Sequence, residues 1–157
     1  MKKSVKRGLG FGITSGIITT LGLMTGLFSG THSKLAVLGG IITIAIADAF
    51  SDAFGIHISE ESAGNSKKNV MRSTISAFST KFLTALIFII PIILTDLNKA
   101  IIINVILGLI LLSIFTYLVS KNNGQKPINH IFEHLFIAII VIIITYFVGV
   151  GINKLFV

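Results

Sequence analysis

Five stretches of the chain, approximately 8–28, 35–58, 74–94, 100–119 and 131–152, are nearly unbroken runs of apolar residues separated by short polar connections. Each is close to the roughly 20 residues that a helix needs to cross a hydrocarbon core about 30 Å thick. Backbone polar groups in lipid must be satisfied within the segment or in a closed barrel. None of the runs alternates as a barrel strand does, so all five are predicted as helices. Pro91, near the far end of the third run, predicts a kink or an early stop there.

Composition extends this pattern to the whole chain. It is 53% hydrophobic and 12% charged, with a mean hydropathy of +0.94, a balance that soluble domains do not reach. The expected fold class is an all-α integral membrane protein, multi-pass, in the cell membrane or an organelle membrane. Its 157 residues have room for a single transmembrane bundle over 1–157 and no separate soluble domain. The absence of cysteine excludes disulfides and thiolate metal sites.

The basic start, Lys2, Lys3, Lys6 and Arg7, leads into an apolar run too long for a typical signal-peptide core, so it is read as a retained anchor. Basic residues gather on the cytoplasmic side of membrane proteins. With the N-terminus inside, that side receives those four together with Lys67, Lys68, Arg72, Lys121 and Lys126, while Lys34, Lys99 and Lys154 fall on the far side. The N-terminus is therefore expected in the cytoplasm and the C-terminus across the membrane. The net charge of +7 reflects this topology and attraction to anionic lipid, not a nucleic-acid role.

In the first segment Gly8, Gly12 and Gly16 recur every four residues, and Gly22, Gly26 and Gly30 do so on a rotated face. Such rows let helices approach closely, either inside the bundle or in self-association; both readings make this helix central.

The chemistry concentrates in the second segment, where Asp48 and Asp52 lie one turn apart on one helical face. A carboxylate near the bilayer centre is unfavourable by roughly 2.5 to 3.5 kcal/mol on insertion scales, so such groups usually face a protein interior and mark an ion path. Two adjacent oxygen ligands are half a cation site. A structural role, bonded to Ser51 or Thr43 or paired with Lys81, is the alternative. Lys81 itself lies about two turns from the cytoplasmic end of its apolar run and is expected to snorkel there. At the mouth of the same helix, His57, Glu60 and Glu61 supply the imidazole and carboxylates that suit iron, manganese or zinc, with a solvated helix end as the bland reading. Met24 is a candidate soft ligand or a gap-filler. His130, Glu133 and His134 match the H-x-x-E-H pattern of one zinc peptidase class, but no third ligand follows. They are expected to edge a cytoplasmic vestibule or meet lipid head groups.

The string Gly12-Ile13-Thr14-Ser15-Gly16-Ile17-Ile18-Thr19-Thr20 and the five-helix layout resemble the vacuolar iron transporter family. The loop Lys121-Asn122-Asn123-Gly124-Gln125-Lys126-Pro127-Ile128, leading to a long helix that ends Tyr146-Phe147-Val148-Gly149, is similar to that family's last loop and helix. The resemblance covers most of the chain. It implies a homodimer with five helices per chain that exports Fe²⁺ or Mn²⁺ from the cytosol in exchange for protons, with no cofactor, the metal being cargo. It also implies an acidic residue in the first helix, at a position that Ser15 holds here, and a glutamate and a methionine in the second, near Thr43 and Ser51. Asp48 and Asp52 are expected to have taken over that role. Many relatives insert a glutamate-rich cytoplasmic helical domain between helices two and three. Here the connection is only about 59–73, a short form whose remnant would be His57, Glu60 and Glu61. A non-transporting membrane protein of the same fold, and an intramembrane zinc peptidase acting through Glu133, are the alternatives.

Overall fold

A computed structural model describes residues 3–122 and 124–156, so Lys2 and Asn123 of the patterns above lie outside the described residues. The elements are α1 (Lys3–Thr31), α2 (Lys34–Ser62), α3 (Lys67–Ile87), the short α4 (Ile89–Leu94), α5 (Leu97–Asn122) and α6 (Pro127–Phe156). With α3 and α4 taken as one span, five helices among the described residues are long and apolar enough to cross a membrane. The helices overrun the apolar segments at both ends, except that α4 stops at Leu94, where the third segment ends. Hydropathy marks only the part that lies in hydrocarbon, whereas local capping ends the helix itself.

Those caps are specific. Ser33 accepts a hydrogen bond from the Ala36 N–H at 3.2 Å to start α2, and His32 before it takes a left-handed φ of 49° to turn the chain between α1 and α2. Gly64, at φ 70°, closes α2: its N–H bonds the Glu61 carbonyl and that of Asn65 bonds the Glu60 carbonyl. Gly124 closes α5 in the same way onto Lys121 and Ser120. The expected Pro91 break falls at Phe88, between α3 and α4. Pro91 has no N–H to offer the carbonyl one turn back, and its ring crowds that turn. The neighbouring Phe88 carbonyl is taken up by Asn104 Nδ2 of α5 at 2.8 Å.

Helix α1 is the centre, packed by α2, α3, α5 and α6. Its two glycine rows are both used inside the chain. Gly8, Gly12 and Gly16 meet Ser73, Ala77, Thr80 and Thr84 of α3, and Gly22, Gly26 and Gly30 meet Val141, Thr145 and Gly149 of α6. The self-association reading of these rows is therefore corrected: no face of glycines on α1 is left for another copy. Hydrogen bonds fasten the same contacts, from Ser73 Oγ to the Ser4 carbonyl at 2.8 Å and from Asn153 Nδ2 to the Gly30 carbonyl at 3.0 Å. The periphery is apolar, as lipid requires. On α6 only Ala138 and Gly149 are buried.

Candidate cation site

Buried residues on α2 recur every fourth position, Val37, Ile41, Ala45, Ala49 and Ala53, and the three alanines let α2 lie close to its neighbours. Asp48 and Asp52 precede Ala49 and Ala53 by one residue, which aims both along the edge of this seam. From α3 comes Lys81, buried in line with Ala77 and Ala85 and only 1% exposed. Its ammonium meets Oδ2 of both Asp48 and Asp52. From α1, Ser15 Oγ donates to Asp52 Oδ2 at 2.6 Å and accepts from Lys81 Nζ at 2.9 Å. Three helices thus converge on one polar cluster. Asp48 Oδ2 faces the ammonium as an ion pair but in an orientation that makes no hydrogen bond.

The balance of the cluster is informative. As ionised groups, two carboxylates and one ammonium leave one negative charge in excess. Removing the lysine would strand both carboxylates in low dielectric, which is far costlier than the pairing is stabilising, whereas removing one aspartate leaves a balanced pair. The carboxylates are also less sealed than the lysine: their side chains are 30% and 21% exposed against 2% for Lys81. The acids face outward and the lysine closes the site from behind.

The snorkelling expected of Lys81 is corrected. Helix α3 begins at Lys67, fourteen residues and about 21 Å of rise before Lys81, well beyond the reach of a lysine stem. The apolar run starting at Thr74 hid this, because the helix continues through the polar residues ahead of it.

The mouth residues do not join the aspartates. Glu60, buried at 6%, is held by Arg7 Nη1 at 2.9 Å and by Asn65 Nδ2 at 3.0 Å, so its charge is spent on a bridge between α1 and the end of α2. His57 Nδ1 bonds Thr74 Oγ1 of α3 at 3.2 Å, and Glu61 is exposed. Among the described residues no three His, Asp or Glu side chains stand close enough to share one metal ion. Met24 is fully buried with Sδ 3.2 Å from Asn104 Nδ2, deep in the apolar core and apart from the cluster. Thr43 and Ser51 are exposed on the outer face of α2.

The His130–His134 group edges a 250 Å³ recess between α1, α5 and α6, together with Thr14, Ser120 and Gln125. His134 Nδ1 bonds Thr116 Oγ1 at 2.9 Å, while the exposed Glu133 turns to His130 at 3.6 Å. The pattern is not gathered into the ligand set of a peptidase.

The sequence model of the VIT family matches residues 56–150, more than half of the chain. The chain belongs to the VIT family. No curated protein matches it. The VIT match covers Lys81 and stops short of Ser15, Asp48 and Asp52, so the polar cluster joins one residue inside the matched region to three outside it. Members of the VIT family are membrane metal-ion transporters, and five spans make this one a multi-pass integral membrane protein.

A further row of small residues lies on α2 of this VIT protein. Gly39, Thr43, Ala47, Ser51 and Gly55 recur every fourth residue on α2, and all are exposed, with open space where a Cβ on either glycine would stand. The spacing is the same as in the α1 rows, but here the row faces outward, beside Asp48 and Asp52.

Proposed function

We propose that this chain exports a divalent transition metal, Fe²⁺ or Mn²⁺, from the cytosol in exchange for protons, with its N-terminus cytosolic and its C-terminus on the far side. The observation that carries this reading is the hydrogen bond from Ser15 to Asp52. The resemblance implies an acid at the Ser15 position of the first helix. Asp52 reaches that same position from α2, so the carboxylate has changed helix without leaving the contact.

In this mechanism Asp48 and Asp52 replace part of the hydration shell of the cation, the hard-oxygen half of a site that manganese and ferrous iron accept. Protons compete for the same oxygens, because carboxylate ligands must be deprotonated to bind metal, and that competition is the minimal coupling of an exchanger. Glu61, exposed at the end of α2, is left to draw cations to the cytosolic mouth. Small-residue rows drive close helix association in lipid, which supports a homodimer through the outward row of α2. Such a contact would cover the partly exposed carboxylates, which are costly to leave facing lipid.

The test is uptake of Fe²⁺ and Mn²⁺ into proteoliposomes with and without a pH gradient. Flux that follows the gradient in wild type and disappears in Asp48→Asn/Asp52→Asn supports the reading; flux unchanged in the double variant overturns it. One observation favours a second reading, a non-transporting member of the family: Lys81 already neutralises much of the aspartate pair. That reading expects no flux from correctly folded wild type.

A further inference from the structure

We propose that Lys81 is a tethered cation that occupies the Asp48–Asp52 site in the absence of cargo, so that metal enters only by displacing it. This rests on the reading of the aspartate pair as the cargo site. The ammonium stands against Oδ2 of both aspartates, where a cation shared by the two carboxylates would stand. It is almost fully buried near the middle of its span, too deep to leave for either membrane surface. Whenever the cargo site is empty, the lysine remains.

Two consequences follow from charge alone. Without a cation, two carboxylates one turn apart would repel each other in a poorly screening interior, so Lys81 keeps the unloaded protein stable. It also sets a threshold. A monovalent ion offers the aspartates the same charge as the ammonium it must push aside, whereas a divalent ion brings a second charge and wins the exchange. Lys81 thereby selects for divalent cargo without touching it. Ser15 eases the displacement, because its Oγ accepts from Lys81 at 2.9 Å and gives the retreating ammonium a hydrogen bond to keep.

Binding of Mn²⁺ to detergent-purified protein, read from the loss of the free-ion electron paramagnetic resonance signal, tests this in wild type, Lys81→Met and Lys81→Arg. Lys81→Met removes the competitor and is expected to bind Mn²⁺ at least about tenfold more tightly, with Na⁺ now able to compete. Lys81→Arg is expected to bind at least about tenfold more weakly, because a guanidinium pairs two carboxylates in a fixed fork and is harder to dislodge. A folded Lys81→Met that binds no more tightly than wild type overturns the proposal. Should Lys81→Met fail to fold, Lys81→Arg decides, and affinity equal to wild type overturns it. Failure of the transport reading looks different: wild type moves no metal in liposomes, yet the Lys81 variants still shift Mn²⁺ affinity. Conversely, wild-type uptake with unchanged affinity in both variants sinks the tethered-cation proposal alone.

Discussion

Ser15 on α1 and Asp52 on α2, 37 positions apart in sequence, share a hydrogen bond of 2.6 Å inside the bundle. On the transport reading proposed above, the contact offers two places for one carboxylate. Asp52→Asn is expected to lower Mn²⁺ uptake by about tenfold, the usual cost of losing a charge-assisted contact. Ser15→Asp in the same protein is expected to restore most of it. Uptake that stays low in the double variant would show that the carboxylate cannot act from α1.

Close packing between α1 and α3 makes a second expectation. A Cβ at Gly12 would meet Thr80 Oγ1 and the Ala77 carbonyl, whereas one at Gly10 would meet nothing within 4 Å. Gly12→Val should therefore destabilise the protein by about 1–3 kcal/mol through overpacking, and Gly10→Val should leave it close to wild type. Thermal unfolding in detergent compares the two, and equal losses would count against the α1–α3 contact.

The chain has no cysteine, which makes single-cysteine cross-linking clean. Ala47→Cys, in the outward row of α2, should form a disulfide-linked dimer under mild oxidation. Ile143→Cys, exposed on α6, should not. The reverse pattern on denaturing gels would move the dimer interface to α6.

Arg7 and Glu60 tie the start of α1 to the end of α2. The Glu60 side chain is 7% exposed and that of Arg7 42%, so the pair lies between a surface bridge and a buried one. Arg7→Ala should cost about 1–2 kcal/mol, and Glu60→Gln in the Arg7→Ala background should recover part of it by removing the stranded charge. A double-mutant cycle that shows no coupling would mean the bridge is only surface decoration.

Much of the fold could be read from the residues because lipid permits few solutions: an apolar run of sufficient length must be a helix. The boundaries were not legible, since Ser33, Gly64 and Gly124 stop the helices by local hydrogen bonds that hydropathy does not register. In the site, the spacing of Asp48 and Asp52 was enough to find them. The depth of Lys81 depends on where α3 begins, and because Lys67 lies outside the apolar run, hydropathy alone places the lysine too near the surface. The bridge from Arg7 to Glu60 joins residues on two different helices and leaves no local pattern. Rows of small residues on α1 and α2 look alike on paper. Only the neighbours of each show that one is spent inside the chain and the other is free.

Helix α1 is fastened at both ends, by Ser73 and Ser76 to the Ser4 and Val5 carbonyls and by Ser29 and Asn153 to the Tyr146 and Gly30 carbonyls. A rod pinned at two ends to α3 and α6 would be the stator of the transport cycle proposed above. Any opening of the aspartates toward one face of the membrane then falls to α2, which is tied to α1 by Ser15 beside the aspartates and by the Arg7–Glu60 bridge at its end. Spin labels on α1 and α3 should keep their separation as metal binds, while the distance from α1 to α2 changes.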